Sequence, residues 1–75
     1  MFTLLNIPPR AHPLVRRLYE EMNRQQVGLQ QMANRSGYSV DCLKDWRTRA
    51  SPNICSLEAC FNVLGYELTV KRRGE

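Results

Sequence analysis

Several things this sequence lacks narrow its function before any motif is read. No apolar run approaches the ~20 residues that a membrane-spanning helix needs. The opening Met-Phe-Thr-Leu-Leu-Asn-Ile has neither a basic start nor a long apolar core, so a secretory leader is not expected. The cysteines, Cys42, Cys55 and Cys60, are odd in number and form no C-x-x-C pair. The single histidine, His12, is distant in sequence from all three. Neither a disulfide framework nor a zinc site is therefore expected, and the thiols read as small apolar residues in a reducing compartment. No phosphate loop, metal-ligand spacing or histidine-plus-nucleophile arrangement is present, so we expect no enzyme, no cofactor and no small-molecule ligand. A soluble, cytoplasmic protein is the expectation.

At 75 residues and 8.7 kDa the chain makes one small domain. A domain near this size withdraws only about 60% of its unfolded surface from water, which leaves little room for a deep cleft. With 43% hydrophobic and 24% charged residues the composition is that of an ordinary globular protein. What stands out is positive charge. Eleven basic residues against seven acidic give a net +4, and of the eleven only Lys44 and Lys71 are lysines. Arginine's planar fork suits bidentate pairing with phosphate and guanine. The cations run from Arg10 to Arg73 rather than gathering in a tail, so a folded surface is expected to carry any nucleic-acid binding.

Residues 1–11 read as an arm, since Ile7-Pro8-Pro9 excludes helix there. Pro13 suits the first position of a helix, and His12 before it reads as a helix-start residue. Leu14, Leu18 and Met22, widened by Val15 and Tyr19, form an apolar stripe over Pro13–Gln25. Arg16, Arg17, Glu20, Glu21 and Arg24 fall on the other side, with Glu20 and Arg24 in the favourable order for a surface pair. Gly28 caps a second helix over Leu29–Ser36, with Met32 and Ala33 inward. Gly37 ends it in the left-handed conformation, and Ser39 caps a third helix with Leu43 and Trp46 facing in. Asn53 caps a fourth, whose stripe is Ile54, Leu57, Phe61 and Leu64 with Cys60 beside it, and Gly65 stops it. Tyr66–Lys71 alternates at period two and reads as a short strand. Its partner would be either the arm, where Phe2 and Leu4 alternate, or a second copy of the chain.

The segment 29–48, LQQMANRSGYSVDCLKDWRT, carries the function. Two helices joined by a tight turn cross closely, so a small residue is needed at the crossing and a positive φ four residues later. Ala33 and Gly37 supply these, and Met32, Tyr38, Leu43 and Trp46 supply apolar contacts. That pattern is helix-turn-helix, a geometry that presents its second helix to the DNA major groove.

On these residues, extended by Pro52-Asn53 and the ending Leu64-Gly65-Tyr66-Glu67-Leu68, the chain resembles the lambda-repressor-like, XRE-type helix-turn-helix domains of phage repressors and Cro proteins. The resemblance runs from about Pro13 to Val70. It implies an all-α domain of four to five helices with a short C-terminal strand, spanning 12–70 between the arm and a basic tail at 71–75. It also implies sequence-specific binding of double-stranded DNA, as a homodimer, in transcriptional control. Val40, Asp41, Lys44, Asp45 and Thr48 would read bases, the two acids by accepting from a base amine such as cytosine N4. Gln30, Arg35, Ser39, Arg47 and Arg49 would hold phosphates; where the family commonly has Ser or Thr followed by a bracing Gln this chain has Gly28-Leu29, so Gln30 or Gln31 would replace that glutamine. Leu68 and Val70 would join two copies. The competing expectation is a helix-turn-helix module used for protein binding, to which the acids of the third helix and apolar Leu29 are suited.

Overall fold

The computed structural model of the chain describes residues 2–48 and 51–74, with the side chain of Thr48 outside the description. It holds four helices, α1 (Pro13–Gln25), α2 (Leu29–Ser36), α3 (Val40–Thr48) and α4 (Ile54–Val63), so the fold class is all-α. Local chemistry sets each boundary. Pro13 starts α1, and the Nδ1 of His12 accepts from the Leu14 N–H at 3.0 Å. Before α2 the Gly28 N–H donates to Gln31 Oε1 at 3.1 Å, one half of a capping box. Ser39 Oγ accepts from Cys42 N–H at 3.1 Å ahead of α3, and Asn53 Oδ1 from Ser56 N–H at 2.8 Å ahead of α4. Gly37 takes φ +86° after α2, the left-handed geometry that a residue with a Cβ resists. Gln26 does the same after α1 at φ 57° without being glycine, fastened by Val27 N–H to Met22 O at 2.8 Å.

Burial gathers one core from all four helices. Val15, Leu18, Tyr19 and Met22 come from α1, Met32 and Ala33 from α2, Leu43 and Trp46 from α3, and Leu57, Cys60 and Phe61 from α4. In it α2 packs on both α3 and α4, and α4 also packs on α1. Two stripes are buried as expected except for their first members. Leu14 is 44% exposed and Ile54 68%, because each opens its helix, ahead of the turns that meet the other elements. Glu21, expected on the outer side of α1, is instead buried.

The strand expected at Tyr66–Lys71 does not form, and no strand occurs among the described residues. A strand needs a ladder partner, and the arm is committed elsewhere. Leu5 N–H donates to Asn23 Oδ1 at 2.7 Å, and Asn23 Nδ2 donates to the Leu5 carbonyl at 3.2 Å. Tyr66 is held to α1 by its side chain instead. Its hydroxyl donates to Glu21 Oε2 at 3.0 Å and accepts from Arg24 Nη2 at 3.2 Å. Arg24 also bonds the same carboxylate through Nε at 3.1 Å, and Arg17 lies 3.5 Å from its other oxygen. Arg24 therefore pairs with Glu21, not with Glu20 as spacing suggested. Burial works against the charge on Glu21, but the bonds from Tyr66 and Arg24 and the two guanidinium charges outweigh it and hold the carboxyl below its usual range. No described helix is long and apolar enough to cross a membrane.

Candidate nucleic-acid interface

The face that the sequence singles out is built by α2, the turn after it and α3. Met32 and Ala33 anchor α2 inward, and Leu43 and Trp46 anchor α3. The left-handed Gly37 lets the chain reverse within Ser36–Ser39, between the two helices. Tyr38 is half-buried and its ring leans on Trp46, with centres 6.3 Å apart at 60°. α3 is also fixed from behind. The buried Tyr19 hydroxyl donates to the Leu43 carbonyl at 2.7 Å, and burial pushes that phenol up to about 12, with the Arg47 charge pulling the other way.

With those anchors inside, the remaining side chains have only the outside left. Gln30, Gln31, Asn34 and Arg35 of α2, Ser39 of the turn, and Asp41 and Lys44 of α3 are exposed; Val40 and Asp45 are half-buried. Gln30 Nε2 donates to Asn34 Oδ1 at 3.0 Å, which steadies the amide on the outer edge of α2. Ser39 Oγ accepts the Cys42 N–H, and its own proton is left to donate. Among the expected DNA-contacting residues, Gln30, Arg35, Ser39, Asp41 and Lys44 are thus open to solvent, and Val40 and Asp45 are partly so. The side chain of Thr48 and all of Arg49 lie outside the described residues.

Arg47 departs from this group. It is half-buried, its Nη1 donates to the Asn6 carbonyl at 2.8 Å, and its guanidinium carbon lies 5.2 Å from the centre of the Tyr19 ring. Periodicity accounts for the difference. Arg47 follows Leu43 by four residues and Lys44 by three, so it sits on the boundary between the buried stripe and the exposed edge. The pair expected to join two copies also divides. Leu68 packs against the chain's own core, whereas Val70 is 95% exposed.

Other chemistry is sparse. Cys55 is exposed, Cys42 half-buried and Cys60 buried. Burial raises the Cys60 thiol above its usual range despite a hydrogen bond with Ser36, so it is a neutral packing group at neutral pH. No cluster of metal-ligating side chains occurs among the described residues. An apolar cleft of about 280 Å³ lies between Leu14 and Val15 of α1 and Pro52, Ile54 and Leu57 at the start of α4. A second, of about 230 Å³, lies between Leu14, Phe61 and Leu68. Neither is lined by α2 or α3. No family model, curated protein or solved structure matches the chain.

Proposed function

We propose that this chain is a sequence-specific double-stranded DNA-binding regulator of the helix-turn-helix type, acting as a homodimeric repressor in the cytoplasm. The observation that carries the reading is that Gln30, Arg35, Ser39 and Lys44 are exposed on two helices whose Met32, Ala33, Leu43 and Trp46 are buried and whose turn holds the left-handed Gly37. In this reading α3 enters the major groove, and Val40, Asp41, Lys44, Asp45 and Thr48 meet base edges. Gln30, Arg35, Ser39 and Arg49 meet phosphates, the Ser39 oxygen and the Gln30 amide each being held by one hydrogen bond within the domain. The fully exposed Val70, in a segment with no ladder partner, suits pairing with the same segment of a second copy.

The alternative, a protein-binding module, drew part of its support from Leu29. Leu29 packs against the core instead of projecting, which favours the DNA reading.

Selection from a random duplex pool near physiological salt tests the proposal. An enriched inverted repeat with half-sites about ten base pairs apart is the expected result. Binding should weaken by orders of magnitude between low and moderate salt as counterions are released. Retention without a motif removes sequence specificity, and no retention returns the choice to the protein-binding module. On a sizing column Thr69→Pro should yield monomers; a variant that stays dimeric rules out pairing through the 66–70 segment.

A further inference from the structure

Of the two described cations on α3, Lys44 is exposed and Arg47 is half-buried, its guanidinium against the Tyr19 ring and bonded to an uncharged oxygen. Its Nη1 donates to a neutral peptide oxygen, that of Asn6, while its Nε is buried with no acceptor. A guanidinium forms its strongest bonds with anionic oxygens, frequently two at once. The segment supplying the carbonyl has neither helix nor strand from residue 2 to residue 8. It is fastened by the two bonds between Leu5 and Asn23 and by contact of Leu5 and Ile7 with the core. On α3 the neighbour of Arg47 toward solvent is Lys44, which is exposed. A shift of the arm would leave Arg47 beside Lys44 on the edge proposed to meet DNA.

We propose that residues 2–9 form an autoinhibitory latch in which the Asn6 carbonyl occupies, in the free protein, the guanidinium that a DNA phosphate takes in the complex. The inference rests on the DNA-binding reading of α2 and α3. Latch and phosphate then compete for one group, so the apparent affinity for DNA is the intrinsic affinity scaled by the fraction of molecules whose arm is undocked. The coupling is reciprocal: whatever loosens the arm tightens DNA binding, and bound DNA loosens the arm.

Asn23→Ala in the full chain removes both bonds to Leu5 without altering Arg47 or the exposed face of α2 and α3. With a 20-base-pair random-sequence duplex at low salt as probe, binding should tighten about three- to tenfold, the effect of weakening a docked state by one to two hydrogen bonds. Arg47→Ala should weaken binding, and Asn23→Ala added to it should change nothing further. A simple loss of structural support predicts the opposite: weaker binding from Asn23→Ala with Arg47 present or absent, which overturns the latch. Amide exchange in the unaltered protein gives a readout that needs no variant. The Leu5 N–H should exchange faster when the duplex is saturating while core amides keep their rates; unchanged or slower exchange overturns the proposal. If the duplex binds and the arm stays docked, the latch falls and the DNA reading stands. If no duplex binds, both fall.

Discussion

The segments before α1 and after α4 look alike as sequence, each a short alternation of apolar and polar residues, yet they are held in different ways. The arm is gripped by its backbone: Leu5 on both sides by the Asn23 amide, Asn6 by Arg47. The segment after α4 is gripped at Tyr66, whose hydroxyl meets a carboxylate with two arginines around it, besides the Gln25 bond to the Leu64 carbonyl and the packing of Leu68. Beyond the half-buried Leu68 it lies in solvent. Amides and arginine keep one charge state across the ordinary pH range, whereas a carboxylate does not. The two attachments are therefore separable by acid and alkali, and by single substitutions.

The largest effect is expected at Tyr19, which supports both Arg47 and the Leu43 carbonyl. Tyr19→Ala should cost about 3–5 kcal/mol in urea unfolding, as for other large core truncations, and Tyr19→Phe about 1 kcal/mol for the lost hydroxyl bond. The raised phenol makes this anchor sensitive to alkali. Its contribution is complete below the unfolded value near 10 and is lost as pH rises through about 12. Stability measured between pH 9 and 12 should fall in the native protein, and the part due to Tyr19 should be missing in Tyr19→Phe.

Acid should act on the other attachment. Because the folded Glu21 carboxyl lies below its ordinary 4.5, its contribution is present above that value and disappears as pH falls through the lower, folded one. Glu21→Gln should lower the melting temperature at pH 7 and flatten its dependence on pH below 4.5. A variant that retains the native acid sensitivity would assign that sensitivity to another carboxylate. The smallest effect belongs to Val70→Asp, which should leave monomer stability within about 0.5 kcal/mol, as at other exposed sites. If the 66–70 segments pair, the same change should abolish the dimer by placing two acids near each other.

Much of this architecture is legible without coordinates, because helix boundaries are decided by neighbours in sequence. Pro13, Gly28, Ser39 and Asn53 begin their helices where capping chemistry requires, and Gly37 has the positive φ that the turn requires. The left-handed Gln26 escaped because the usual sign is glycine, and here the turn is secured by the burial of Val27 behind it. Long-range partners account for the remaining differences. Glu21 is a surface residue by periodicity and becomes buried only because Tyr66, 45 positions later, brings it a proton donor. Alternation at Tyr66–Lys71 describes a willing strand but does not supply a second one. For the candidate site, outward positions follow from the inward ones, so Gln30, Arg35, Ser39 and Lys44 were readable. Arg47 was not, since its partner lies 41 positions earlier in a segment whose docking no local pattern encodes.

That separation also fixes an order of assembly. Residues 2–9 leave the ribosome before anything they touch, yet Leu5 has no partner until Asn23 has been made, and Asn6 none until Arg47 follows 41 positions behind it. The caps of α1, α2 and α3 close over two or three residues and can form as each helix emerges. Long loops close later than short ones because more chain entropy is lost for the first contact. The arm, made before its partners, is thus expected to settle after the helices, with Arg47 lacking the Asn6 carbonyl in the interval.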